Sequence, residues 1–536
     1  MNAKWWQNAV IYQVYPRSYC DSDGDGIGDI PGLISKLDYI QHLGVDAIWL
    51  SPVFKSPQDD NGYDISDYQD IEPMFGSLED MRRLFAEAGK RGIKILVDMV
   101  LNHTSDEHPW FLEAKQSRDN HKHDWYVWRD GTPDCPPNDM LSCFGGSAWQ
   151  WCEECGQFYF HQYSVKQPDL NWDNPEVRQA LYDMMNWWAK EGAGGFRLDV
   201  IDSIAKEPDK KITAEGSMLH PYIREMSKAV LQGTDLVAVG ECWSANPDRA
   251  KLWSNPDGSE LSMVFQFEHI VLDQVGWEKW NLAPLPKVKL KEVIAKWQRE
   301  LYGKGWNSLF WENHDVPRIV SRWGNDKQYR EQSAKMLAIF LFGLQGTPYI
   351  YQGQELGMTN VRWPIEQYDD IEIRNFYAEA TEKGMAPEEA LAAIHARGRD
   401  NARTPMQWTA GENAGFTTGK PWLPVNENHT FINAESALAD ENSIFYTYQR
   451  LIALRKQLPV IAEGSFTLID RDNGKVFAYR RDYENAHLLV VSNFEKECVP
   501  FALPAEFEGG EVLISNYGTP SGELRPFEAY MILKKA

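Results

Sequence analysis

Residues 195–202 read Gly-Phe-Arg-Leu-Asp-Val-Ile-Asp. The run is apolar and β-rich at its start and ends by presenting a carboxylate, as a buried strand does where it opens onto a site. Alternate strand residues share a face, so Arg197 and Asp199 point the same way. A guanidinium beside a carboxylate lowers the carboxylate's pKa. The pair therefore predicts an Asp199 ionised at neutral pH and poised as a nucleophile. A purely structural ion pair is the alternative reading of the octamer alone.

Similar runs recur outward from this one. Val10–Tyr15, Ala47–Leu50, Ile95–Val100, Gly195–Leu198, Leu236–Val239, Met263–Phe267, Ser308–Phe310 and Pro348–Tyr351 all read as strands. Amphipathic helical patterns lie between them, at Leu78–Arg91, Glu176–Glu191, Leu219–Leu231, Lys289–Leu301 and Lys327–Leu344. Eight strands alternating with helices give an α/β class fold, a (β/α)8 TIM barrel, with a doubly wound open sheet as the alternative. Residues 104–172 interrupt the rhythm with a loop-rich insertion after strand 3, and 355–425 form a second long stretch after strand 8. Short alternating strands follow, at Gly464–Leu468, Lys475–Arg480, His487–Asn493, Glu511–Ser515 and Ala529–Leu533. The expected organisation is a catalytic barrel of 1–103 and 173–458, an inserted domain of 104–172 and a C-terminal antiparallel β-sandwich domain of 459–536.

Composition narrows the partners. The 536 residues carry 54 basic and 78 acidic side chains, net −24, which repels phosphate backbones and anionic membranes. No nucleic acid or membrane partner is expected. The 22 Trp, 23 Tyr and 23 Phe offer flat faces for sugar rings as well as core filling. The first residues show no sustained apolar leader, and seven cysteines, mostly isolated, do not make a disulfide framework. The cytoplasm and a monomer are the expectations.

Chemistry gathers where the strands end. Asp98-Met-Val-Leu-Asn102-His103 closes strand 3, Gly240-Glu241-Cys242-Trp243 closes strand 5, and Glu312-Asn313-His314-Asp315 follows strand 7. Asp199 and Glu241 lie on neighbouring strands about 5 Å apart. That matches the ~5–5.5 Å carboxylate separation of retaining glycosidases. Asp98 reads as the group orienting Arg197. Together the motifs resemble the conserved regions of the alpha-amylase family of glycoside hydrolases, and Gln167-Pro-Asp-Leu-Asn-Trp172 matches a further signature of it. The resemblance covers nearly the whole chain. It implies Asp199 as nucleophile, Glu241 as general acid/base and Asp315 as transition-state stabiliser, with His103, Gln167, Arg197 and His314 contacting the sugar. No organic cofactor is implied.

Two further stretches, Asp59–Tyr68 and Arg399–Trp408, resemble the oligo-1,6-glucosidase subgroup, whose matching residues at Asp60, Tyr63 and Arg399 hold a terminal glucose. That implies exo-action on small oligosaccharides. Val200, just after the nucleophile, resembles the α-1,6-specific members. Trp243, with Leu261–His269, most resembles the dextran glucosidases (glucan 1,6-alpha-glucosidases), in which an indole near the leaving-group sugar would favour longer isomalto-chains. Trehalose-6-phosphate hydrolases share these motifs but need cations beside Trp243, where no Lys/Arg cluster stands. Sucrose isomerases carry a charged loop where this chain has Ser-Arg-Trp-Gly-Asn at 321–325. A non-catalytic transporter subunit is the reading from a different class, opposed by the complete set of three acids.

Two metal readings arise. Asp21, Asp23, Asp25 and Asp29 alternate with glycines and offer oxygen ligands. The resemblance implies one structural Ca2+ held by these four and the Ile27 carbonyl. Cys135, Cys143, Cys152 and Cys155 offer four thiolates for a structural Zn2+, with free thiols or a redox disulfide as alternatives.

Overall fold

The computed structural model describes residues 4–535; residues 1–3 and 536, the outer ends of the expected barrel and C-terminal segments, lie outside them. The chain groups into two compact units, Trp49–Gln266 and Met1–Ile48 with Phe267–Ala536. Eight parallel strands make up the barrel sheet: β1 (Ile11–Val14), β2 (Ala47–Leu50), β3 (Lys94–Val100), β4 (Gly195–Asp199), β5 (Val237–Glu241), β6 (Met263–Phe265), β7 (Ser308–Leu309) and β8 (Thr347–Tyr351).

In the Trp49–Gln266 unit, β3, β4, β5 and β6 pair in that order. Asp98 lies opposite Arg197, Val100 opposite Asp199, and Gly240 opposite Leu198. Glu241, one residue further along β5, therefore comes level with the carboxyl end of β4. Gly195 to Asp199 is buried throughout, so Arg197 and Asp199 are charged side chains held inside a strand that is covered on both faces. Helix α1 (Leu78–Lys90) opens on a Ser77–Asp80 capping box, and α2 (Pro175–Glu191) opens on Asn174 with Pro at its first position. Helix α3 was expected as one run over Leu219–Leu231. It is regular only over Leu219–Met226 and continues as a wide π turn, in which the Gln232 amide donates back to Ser227 O. The insertion carries a three-stranded antiparallel sheet of Trp128–Arg129, Gln157–Phe160 and Trp149–Cys152 over a small aromatic core.

In the other unit β1 pairs with β8 and β8 with β7. Helix α4 (Lys287–Leu301) and α5 (Arg330–Phe342) follow the helical patterns of the sequence. Residues 333–342 of α5 are buried on every side. Phe340 meets Trp311 at 5.6 Å between ring centroids and, on the C-terminal sheet, Phe477 at 4.4 Å. That sheet has five antiparallel strands: β9 (Ser465–Ile469), β10 (Val476–Tyr483), β11 (Ala486–Asn493), β12 (Glu511–Ser515) and β13 (Ala529–Lys535), ordered 9-10-11-13-12.

Candidate active site

In the Trp49–Gln266 unit everything converges on one guanidinium. Arg197 is buried and donates from Nη1 to Asp98 Oδ1 at 2.9 Å and to Asp199 Oδ1 at 2.6 Å, and from Nη2 to Glu241 Oε2 at 2.5 Å. The two carboxylates at the ends of β4 and β5 thus hang on the two terminal nitrogens of one side chain. Asp98 is saturated, accepting also from Trp49 Nε1 and the Tyr63 hydroxyl at 3.0 Å each. It cannot swing away, so Arg197 is held from behind. The Val200 amide donates to Glu241 Oε2 at 3.2 Å, and Trp243 Nε1 donates to Glu241 Oε1 at 3.1 Å while its ring stays 40 % exposed.

The charge state of Asp199 differs from the sequence expectation. Burial pushes its carboxyl well above the usual range, Arg197 pulls it down, and the Glu241 and Asp98 charges push it up again. The sequence reading counted the arginine but not the cost of burying the carboxyl, nor the fact that three acids share that one cation. The net direction is upward.

His103, Gln167, Asp60 and Tyr63 form a neighbouring buried group. Gln167 Nε2 donates to Asp60 Oδ2 at 3.2 Å and meets His103 Nε2 at 3.2 Å. His103 Nε2 also lies 3.2 Å from Tyr63 O, and Tyr163 packs at 5.4 Å from its ring. Burial lowers the His103 pKa to about 4, so the imidazole is neutral at pH 7.

In the other unit two arginines converge on Asp315. It accepts from Arg403 Nη2 at 2.9 Å and Arg399 Nη1 at 3.4 Å, and its other oxygen lies 3.0 Å from His314 Nε2. Gln13 Nε2 meets His314 Nδ1 at 2.8 Å and fixes the ring. Arg399 grips Asp370 through Nε at 3.0 Å and Nη2 at 2.6 Å. Burial alone would raise Asp370; Arg399, then Arg403 and Lys279, hold it at about 2. Sequence reasoning missed Arg403, although it lies four residues after Arg399 in the same motif, one helical turn away. Asp370 and Gln13 carry no motif and gave no signal.

Residues 13–464 match the family described as alpha amylase, catalytic domain, and residues 466–523 match the maltogenic amylase C-terminal domain. The chain belongs to the alpha-amylase family. Among curated alpha-amylase relatives, the glucan 1,6-alpha-glucosidase of Streptococcus pneumoniae is 56 % identical over 93 % of this chain and 92 % of its own. The oligo-1,6-glucosidase of Parageobacillus thermoglucosidasius is 50 % identical over 99 % of both. The crystal structure of Bacillus licheniformis trehalose-6-phosphate hydrolase superposes with a TM-score of 0.96 at 45 % identity, covering both chains completely. The barrel and antiparallel C-terminal sheet are those of this alpha-amylase fold.

For metals, Asp21, Asp23 and Asp29 of this alpha-amylase-family chain each bring an oxygen within 4.8 Å of the others. Asp25 is outside that group and accepts from the Ile27 amide at 2.7 Å. Burial and neighbouring carboxylates push Asp25 and Asp29 upward, a repulsion that a cation relieves. The donor set is all oxygen and fits Ca2+. The four cysteines do not fit Zn2+. Bonds of about 2.3 Å need all four sulfurs within about 4 Å of one another. Among the described residues no cysteine belongs to a gathered metal-binding group, and Cys20, Cys135, Cys143, Cys152, Cys155, Cys242 and Cys498 are free thiols. Cys152 Sγ instead faces Glu154 at 3.3 Å.

Proposed function

We propose that the chain is an exo-acting, retaining glycosidase that hydrolyses α-1,6-glucosidic bonds at the nonreducing ends of isomalto-oligosaccharides and dextran, releasing glucose. The observation that carries this reading is the pair Asp199 and Glu241 on opposite nitrogens of Arg197, at the ends of adjacent strands. Two acids tied to one guanidinium on adjacent strands support the close carboxylate pairing (~5–5.5 Å) that retaining enzymes use. The relatives named above for α-1,6-glucosidase activity support the bond type.

The chemistry needs one proton on the acid pair. With that proton, Glu241 protonates the glycosidic oxygen while Asp199 attacks the anomeric carbon, and a glycosyl ester forms as the leaving sugar departs. Glu241, now a carboxylate, takes a proton from water. The water attacks the same carbon, Asp199 leaves, and glucose is released with its configuration kept. Asp98 and Arg197 hold Asp199 in line, and Asp315 stabilises the cationic transition state. Asp60, Tyr63, His103, Gln167, His314 and Arg399 bind the terminal glucose. Trp243 stacks on the sugar beyond the bond, and Val200 selects the linkage. One structural Ca2+ binds the Asp21–Asp29 loop.

Glucose release is measured on isomaltotriose, maltose, sucrose and trehalose 6-phosphate, with proton NMR following the first anomer formed. The expected result is isomaltotriose as the best substrate and α-glucose as the first product. An inverted first product, or a preference for trehalose 6-phosphate, overturns the reading.

A further inference from the structure

A cavity of about 410 Å³ lies entirely within the unit that contains α4 and α5. Its walls carry Arg322, Arg362, Arg397, His395, Asp273 and Asp326. Two features set it apart in a chain of net charge −24.

The first is a buried imbalance. The Arg322 and Arg397 side chains are only 3 % and 5 % exposed, and they share a single buried carboxylate, Asp273. Arg322 takes both its oxygens, through Nε at 2.9 Å and Nη2 at 2.6 Å; Arg397 Nη2 lies 2.9 Å from Oδ1 and bonds the Asp273 carbonyl. Burying two guanidiniums against one carboxylate is costly unless a second anion joins them. Burial, and then the charge of Arg322, lower the Arg397 pKa to about 10.

The second is unused donor capacity. Arg322 spends Nε and Nη2, and Arg397 spends Nη2 alone. Arg322 Nη1 and Arg397 Nε and Nη1 make no hydrogen bond among the described residues, and they are not sealed away from the cavity either. Arg362 stands exposed on the same wall and forms no ion pair among the described residues. Asp326 is the opposing charge on that wall, and His395 is turned to Trp363 O through Nε2 at 2.9 Å.

Guanidinium donors match the oxygen spacing of an oxyanion, and three such cations around one cavity favour a dianion over a monoanion; Arg322 contributes Nη1, its Nε–Nη2 fork being spent on Asp273, beside Arg362 and Arg397. The volume lies in the range of small-molecule sites. We propose that this cavity binds a phosphate dianion, held by Arg322, Arg362 and Arg397, as inorganic phosphate or as the phosphate of a small sugar ester. Arg397 lies two residues before Arg399, so an occupant here bears on the segment that holds Asp370.

The test is calorimetric titration of the full-length protein with sodium phosphate and with glucose 6-phosphate, at constant ionic strength, with glucose and sodium chloride as controls. Saturable binding of a phosphate ligand is expected. Arg362→Ala weakens it at least fivefold with Tm and glucosidase activity unchanged, and Arg397→Lys, which keeps the charge but loses the fork, weakens it further. Tighter binding of glucose 6-phosphate assigns a sugar ester as occupant; equal binding assigns free phosphate. If Arg397→Lys does not fold, Arg362→Ala and Arg362→Glu still decide. Heats that follow ionic strength alone, equal affinity in the Arg362 variants, or citrate binding more tightly than either phosphate overturns the proposal.

Discussion

Val200 combines a β-branched side chain with φ +35°, a left-handed backbone that such residues avoid. Its amide meets Glu241, so the strained turn is tied to the carboxylate proposed as the general acid. Val200→Thr keeps the branch and changes the polarity at the position proposed to select the linkage. The ratio of kcat/KM on maltose to that on isomaltose is expected to rise about tenfold, the scale of a single pocket contact; an unchanged ratio removes Val200 from linkage selection. His103 gives a pH prediction. Its folded pKa of about 4 lies below the ordinary 6.5, so the unfolded chain binds its proton first. The neutral ring's stabilisation is complete above pH 6.5 and is lost as pH falls towards 4. His103→Gln should remove about 2–3 kcal/mol of the stability difference between pH 7 and 4.5, read from urea unfolding at both. An identical slope in the variant places the ring in water. Spacing made Arg197, Asp199 and Glu241 legible before any coordinates. Asp370 was not, because its partner Arg399 lies outside its own segment and only the fold introduces them.

At the level of elements, strands were easiest to read. Ala47–Leu50 and Glu511–Ser515 fall as expected, because short apolar or alternating runs bounded by polar turns leave little choice. The end of α3 was hidden, since a π turn keeps helical periodicity almost intact while changing its hydrogen bonds. The Asp21–Asp29 loop was legible as a ligand set but not in its detail. Asp21 already accepts from the amides of Asp23, Gly24 and Gly26 and from Thr417 Oγ1. Added Ca2+ at a hundred times its Kd is expected to stabilise the fold by about 2.7 kcal/mol. Differential scanning calorimetry with Ca2+ and with chelator reads it as a higher Tm. Asp23→Ala, which spares the Asp29 cap on Gly32, should abolish the difference. A Ca2+-insensitive wild type sinks the metal assignment.

Across the whole chain, the alternation of strand and helix announced the barrel, and the switch to a two-residue period announced the C-terminal sheet. What the pattern could not show is how far that sheet is needed. Helix α5 is apolar on all sides over 336–342, and such a helix must be covered on all sides. Ending the chain at Gly464 uncovers Phe340 where Phe477 and Phe494 now pack, at 4.4 and 5.7 Å. The truncated protein should collect in the insoluble fraction; a soluble, cooperatively melting product would show that the sheet is dispensable. The charge of −24 has its sharpest expression where Asp98, Asp199 and Glu241 share Arg197. With one proton on the acid pair, that group is still short of one positive charge, which a ring nitrogen carrying a proton would supply. Sugar mimics built on an amine are therefore expected to bind in preference to neutral sugars of the same shape, and acidifying the medium, by filling the acids with protons, should erode that advantage.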